Sequence, residues 1–361
     1  MTLEPINPSI LISAALLDLL LGDPRWFPHP VALIGKLINV LEEVLRRLFA
    51  NERLGGVILL AIAGTLPELA ITISAAAKGN LDLAAGNLIG GIAVQTMVIV
   101  LCDFAVSPQQ SLSYLVGSLL PVIEGSLVVF VVAGAAMGSL LPSSVAIGPV
   151  SPASLLIVVA WIGGVAIINR VRKAPGWEVE MPGSSPGRRH RRQRHPQERP
   201  TPLTGSTRAG IAVFAIASAI TLVAGVALES TGNTLADRAG INGVIFGATV
   251  LATATALPEI SSGLAAVRLG DHQLAVADVF GGNAFQLCLF LVADLVAGHP
   301  VLPTAGRLNG WLAGLGIAVT IVFTFGVIVR PRRCFGRLGV DSLVATAVFG
   351  LGVAGMFALP H

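Results

Sequence analysis

Two stretches decide how this chain folds: TLPELAITISAAAKGNLDLAAGNLIGGIAVQ (65–95) and ALPEISSGLAAVRLGDHQLAVADVFGGNAFQ (256–286). Displaced by 191 residues, they superpose without a gap, and eleven of the 31 positions are identical. The identities include Leu66/Leu257, Pro67/Pro258, Glu68/Glu259, Gly90/Gly281, Gly91/Gly282 and Gln95/Gln286, and Asp103/Asp294 match at the same offset. Apolar helices coincide by chance at Leu, Ala and Gly, but not readily at Pro-Glu and Gln as well. The chain therefore contains an internal duplication, a hallmark of transporter folds.

Composition places the duplication in a bilayer. Apolar residues make up 54% of the chain and charged residues 12%, with a mean hydropathy of +0.81. Soluble domains carry about 25% charged residues, so the polar surface of a water-facing globule is missing. Glycine is abundant, at 41 residues, as expected where membrane helices pack through small side chains. The net charge of +3 does not indicate nucleic acid, because ten of the 23 Lys and Arg fall within residues 170–208. Such a clump marks a cytoplasmic loop. Cys102, Cys288 and Cys334 have neither metal spacing nor a disulfide framework. No small-residue cleavage site follows the first apolar run, so no cleavable leader is expected.

A bilayer core takes about 20 apolar residues per helix. Candidate spans are roughly 55–77, 83–104, 116–141, 153–169, 209–228, 242–267, 273–297, 309–329 and 341–358, with a tenth near the N-terminus. The N-terminal stretch holds a short run, Ile10 to Leu21, and an amphipathic one, Val31 to Phe49. Residues 172–208 are rich in Pro, Gly, Ser and Arg and form a linker that cannot bury a core. The expected organisation is an atypical N-terminal region (1–53), a first repeat (54–171), the basic linker (172–208) and a second repeat (209–361). The linker, Arg46/Arg47/Arg53 and Arg330/Arg332/Arg333/Arg337 all fall on one side of a ten-span arrangement, which is the cytoplasm, with both termini outside. Five spans per half is an odd number, so the halves are oppositely oriented. The fold expected is an all-α membrane protein of about ten helices in two inverted five-helix repeats, multi-pass in the inner (plasma) membrane.

The repeated residues carry unusual chemistry for lipid. A carboxylate at mid-membrane costs about 2.5–3.5 kcal/mol on insertion scales, so it should face a cavity and have a task. Pro67 and Pro258 each remove a backbone donor ahead of the acid. The freed carbonyls beside a hard carboxylate suit Ca²⁺ or Na⁺. A mere interfacial kink would have to recur at matched depth in both halves. Gly90-Gly91 and Gly281-Gly282 should let their spans approach the broken helices closely. Gln95 and Gln286 offer amide oxygens to the same cavity, or a helix–helix hydrogen bond. Asn87 and Asp278 also correspond, but nearer a helix start, where capping or interface exposure competes with ligation. Asp103 and Asp294 lie near span ends, with at most a gating or ion-recruiting role.

With these residues in view, GTLPEL…GNLIGG…Q and TALPEI…ADVFGGNAFQ resemble the two alpha repeats of the Ca²⁺/cation antiporter superfamily of sodium/calcium and proton/calcium exchangers. The resemblance is specific over 60–104 and 250–295. It implies alternating access about a midplane site in which Glu68 and Glu259 ligate the transported ion, with Gln95, Gln286, Thr65, Thr255 and Gly64 around them. The hydroxyl pattern departs from that of sodium-coupled members. Ala256 replaces Ser before Leu-Pro-Glu, Gly64 replaces Thr, and Gly91 and Gly282 replace Ser. A second resemblance, over residues 15–47, is to the opening of CobD/CbiB, a membrane synthase of cobalamin formation, and nothing after residue 47 is expected to continue it.

The function expected is a secondary active antiporter that exports Ca²⁺ or a similar cation in exchange for H⁺, with Na⁺/Ca²⁺ exchange as the alternative. A cobalamin-pathway enzyme and a channel are the rivals from other classes. No enzymatic activity and no cofactor are expected. The expected partners are the lipid bilayer and the transported cations (Ca²⁺ with H⁺ or Na⁺), without nucleic acid or an obligate protein partner.

Overall fold

A computed structural model describes residues 64–106, 110–173, 207–304, 306–332 and 334–358. The N-terminal runs, residues 55–63 of the candidate span 55–77 and most of the linker lie outside the described residues. Helices carry the architecture: α1 (Leu66–Lys78), α2 (Leu81–Thr96), α3 (Val98–Ala105), the short α4 (Leu112–Val116), α5 (Leu120–Gly138) and α6 (Pro152–Lys173). After the linker come α7 (Thr207–Ala239), α8 (Gly243–Thr255), α9 (Leu257–Arg268), α10 (His272–Gln286), α11 (Leu289–Ala297), α12 (Arg307–Val329) and α13 (Val340–Ala358). A small hairpin pairs β1 (Cys334–Phe335) with β2 (Leu338–Gly339). Its turn uses Gly336 at φ 65°, a conformation that costs glycine little.

Among the described residues six helices are long and apolar enough to cross a membrane, or seven if the bent pair α8–α9 is one span. The distribution of side chains is that of a protein in lipid. Phe104, Phe130, Ile162, Phe325 and Leu351 point outward, while Glu68, Asn87, Gln95, Asn283, Gln286, Asp294 and Asn309 are buried. This inversion of the soluble pattern fits a surface bathed in hydrocarbon and an interior built around polar groups.

The helices recur at the offset of the sequence. Leu66 of α1 answers Leu257 of α9, and Leu81 of α2 answers His272 of α10. The α2/α3 break falls at Met97 and the α10/α11 break at Leu287 and Cys288. One difference from the sequence reading stands out, and one expected break is seen. The span expected to end near residue 228 continues as helix to Ala239, and Gly240 stops it at φ 64°. The helix can pass Glu229 because that carboxylate is fully bonded. It accepts from Ser74 Oγ at 2.8 Å, Asn80 Nδ2 at 2.9 Å and the Lys78 ammonium. The span expected over 242–267 bends by 42° between α8 and α9.

Close packing around α2 positions the site. Gly90 lies against α8 so tightly that a Cβ there would sit 2.6 Å from the Ala248 Cα. The expectation for Gly90 holds, but Gly91 instead faces the Gln286 amide. Gly281 and Gly282 meet nothing within 4 Å among the described residues. Their counterpart of α8 by the offset, 52–64, lies outside the described residues except for Gly64.

Candidate functional site

Both conserved-looking acids of the duplication occupy the same local structure. Pro67 and Pro258 stand in the first turn of α1 and α9, where a missing N–H costs nothing to the helix they open. Pro258 has no N–H for the Ala254 carbonyl one turn back, so α8 cannot run straight into α9. Glu68 and Glu259 follow immediately, in the first turn of each helix. There the unpaired backbone N–H groups and the positive end of the helix dipole favour an anion, by about 0.3–1 kcal/mol and up to ~2 when partly buried.

The two carboxylates are buried, Glu68 at 0% and Glu259 at 5% exposure. Around Glu68, Gln95 Nε2 donates to Oε1 at 3.0 Å; Thr255 of the other half stands beside the carboxyl, with its hydroxyl donated to the Ala252 carbonyl at 3.2 Å. Glu68 Oε2 and Glu259 Oε2 are buried without a hydrogen-bond partner among the described residues. Gly64, at the position that answers Thr255, would put a Cβ 3.9 Å from Glu259 Oε1. It brings backbone to Glu259 but no hydroxyl. Thr65 is buried at the N-cap of α1.

The two glutamines diverge. Gln95 reaches its acid, whereas Gln286 Nε2 donates across to the Asn87 and Leu88 carbonyls of α2 at 3.3 and 3.1 Å. The Gln286 amide oxygen stays buried and without a partner among the described residues. Gln286 is thus a strap between α10 and α2 with one oxygen free to ligate. Among the described residues no three Asp, Glu, His or Cys side chains converge in a metal-binding group. A cation held here would draw on two carboxylates, amide and hydroxyl oxygens and backbone carbonyls.

Asp103 and Asp294 stand near the ends of their spans, as expected, but both are buried rather than open to water. Asp103 accepts from Leu112 N at 2.6 Å, Gly339 N at 2.7 Å and Ser342 Oγ at 2.6 Å. Asp294 accepts from Ser151 N at 2.9 Å and Val301 N at 2.7 Å. Ser151 and Ser342 are themselves 191 residues apart. Asp103 therefore ties α3 to the start of α13, and Asp294 ties α11 to the start of α6, each the last helix of the other half. Sequence reasoning also passed over Glu124, a buried acid on α5 whose Oε1 lies 3.8 Å from Arg172. It has no acidic counterpart at Leu315, so the duplication could not flag it.

Comparison with known proteins matches the two ends of the chain to different families. Residues 209–359 match the family described as sodium/calcium exchanger protein. Residues 11–120 match CobD/Cbib protein, so that likeness extends well past residue 47. A cobalamin biosynthesis protein CobD of Geobacter metallireducens is 66% identical over 55 residues, 15% of this chain and 17% of that protein. The chain spans less than a third of the length of the CobD relatives it matches. The inner membrane protein YrbG of Escherichia coli K12 is 27% identical over 258 residues, 70% of each chain. Two solved structures share the fold over nearly the whole length. The H⁺/Ca²⁺ exchanger CAX aligns with a TM-score of 0.58 at 13% identity, over 98% of this chain and 87% of its own. The sodium-calcium exchanger NCX_Mj aligns with a TM-score of 0.55 at 17% identity, over 96% and 98%. The chain thus shares its fold with these two structures, as a helical protein with six or seven apolar spans among the described residues.

Proposed function

We propose that the chain exports Ca²⁺ in exchange for H⁺ by alternating access, at a site built on Glu68 and Glu259. The observation that carries this reading is the pair itself. Two acids at duplicate positions are buried in the first turns of proline-opened helices, each with one carboxylate oxygen lacking a partner among the described residues. Two glutamates supply two negative charges, which one Ca²⁺ or two protons neutralise. An empty, charged site is costly to carry through hydrocarbon, so each ion must replace the other before the protein can reorient.

Ten helices in two inverted five-helix repeats would supply the two access states, with the linker 172–208 in the cytoplasm. The likeness to CAX and NCX_Mj supports the arrangement, and their names supply Ca²⁺ as the ion to test first. Protons are favoured over Na⁺ on the ligand set. Na⁺ needs a cage of oxygens, and hydroxyls are missing at Gly64, Gly91, Ala256 and Gly282. A proton needs only a carboxylate. Sodium coupling is the second reading, favoured by the family matched over 209–359. The CobD-like segment is read as an appended or recruited piece in a transporter rather than as a synthase, because a synthase needs a whole site.

The test is Ca²⁺ flux in proteoliposomes with Glu68→Gln and Glu259→Gln. Each is expected to lose at least about a hundredfold in rate while inserting normally, since removing a buried charge eases insertion. Flux retained in either variant sinks the assignment.

A further inference from the structure

One acid beside Glu259 has no charged counterpart in the first half. Asp278 lies on α10, half-buried, and accepts a hydrogen bond from Ser262 Oγ. Ser262 stands one turn beyond Glu259 on α9, with its hydroxyl 3.3 Å from the Glu259 carbonyl oxygen and 3.1 Å from that of Pro258. The charge of Asp278 acts on Glu259 through space, as that of Glu68 does. Glu259 Oε2 is buried and lacks a partner among the described residues. At the matching positions of the first half stand Asn87, fully buried, and Ile71, which offers no hydroxyl. Among the described residues, an acid and a hydroxyl accompany the paired glutamate at these positions in the second half only.

Capping does not explain Asp278. The N-cap of α10 is Asp271, whose Oδ1 accepts from Leu274 N at 3.0 Å. Asp278 sits nearly two turns further along. It lies between Glu259 and the turn that joins α9 to α10, and in the proposed orientation that turn faces the cytoplasm.

We propose that Asp278 and Ser262 form an outer subsite that gathers a divalent cation from the side of the α9–α10 turn and passes it to Glu259. This rests on the reading of Glu259 as a transport acid. A carboxylate in a narrow cleft with low-dielectric walls focuses the field and raises the local concentration of counter-ions. The Asp278 carboxylate, the Ser262 hydroxyl and the neighbouring carbonyls are hard oxygen donors of the kind Ca²⁺ accepts.

The experiment measures ⁴⁵Ca²⁺ transport by the full chain in everted vesicles, which present the cytoplasmic face, and in right-side-out vesicles. Asp278→Asn is expected to raise the KM for Ca²⁺ at the cytoplasmic face by about tenfold, the low end of what field focusing in a charged cleft provides. The rate at saturating Ca²⁺ should stay within about twofold, and the KM difference should shrink at high ionic strength. Asp278→Glu should restore the wild-type KM, which a purely structural role would not predict. An unchanged KM in Asp278→Asn overturns the subsite. So does a loss at saturating Ca²⁺ as deep as that of Glu259→Gln in protein that elutes as a monodisperse peak. An inert wild type, or an active Glu259→Gln, overturns the proposed function as well, so the two failures are told apart.

Discussion

The two halves of the molecule place the same acid in the same turn of the same helix and then surround it differently. Glu68 receives the Gln95 amide, a neutral donor, and has Thr255 beside it. Glu259 has Gly64 where its partner has Thr255, a glutamine that turns away, and a second acid nearby. The backbone of the duplication has been kept and its electrostatics have not. Donors hold a carboxylate in place as an acceptor; a neighbouring anion makes it attract whatever cation comes. On this comparison Glu68 is the fixed wall of the site and Glu259 is its receiving end.

The largest effects that sharpen this contrast lie away from the site, in the reciprocal ties of Asp103 and Asp294. Asp103→Ala strands three donors, Leu112 N, Gly339 N and Ser342 Oγ, and Asp294→Ala strands two. Each stranded buried donor costs about 1–3 kcal/mol. Asp103→Ala should lower the melting temperature in detergent more than Asp294→Ala, and both should do so whether or not Ca²⁺ is present. A silent Asp103→Ala would break the account of these acids as ties.

A smaller difference separates the glutamines. Gln95→Ala removes a hydrogen bond to a charged group, worth about 1.5–3 kcal/mol, so Ca²⁺ binding should weaken by about tenfold or more. Gln286→Ala cuts the strap to Asn87 and Leu88. It should lower stability by about 1 kcal/mol and change Ca²⁺ affinity less than Gln95→Ala does. Equal losses of affinity, read by calorimetry, would mean that both amides serve the ion alike.

The duplication made much of this legible. Pro-Glu twice at one offset marked the helix breaks and the paired acids, because a buried charge beside a proline is too costly to recur without use. What sequence could not give were the partners. Glu229 falls just past the expected end of the span 209–228, and its partners Lys78 and Ser74 lie about 150 residues away. The ties of Asp103 and Asp294 reach across 236 and 143 residues. Asp278 was open to a capping role until Asp271 proved to be the cap. Periodicity reports which face is buried; it does not report which donor waits there.

The smallest expected effect comes from repairing the asymmetry. A Cβ at Gly64 would sit 3.9 Å from Glu259 Oε1, ordinary contact distance. Gly64→Thr should therefore fold and place a hydroxyl side chain beside Glu259, as Thr255 stands beside Glu68. If hydroxyls are what sodium coupling lacks here, the variant should gain a weak response of Ca²⁺ flux to Na⁺, about twofold over background, since one added ligand is worth no more than about 1 kcal/mol. No gain would move the cause of sodium indifference elsewhere in the site.

The most direct test of the paired-glutamate antiporter counts both ions at once. Vesicles loaded with Ca²⁺ and a pH indicator receive an inward proton gradient or an inward Na⁺ gradient, each alone and with the voltage clamped. The account predicts Ca²⁺ efflux under the pH gradient only, with two protons entering per Ca²⁺ and neither flow in Glu259→Gln. Ca²⁺ efflux that follows Na⁺ and moves no protons, or Ca²⁺ movement without any opposing ion, would contradict it.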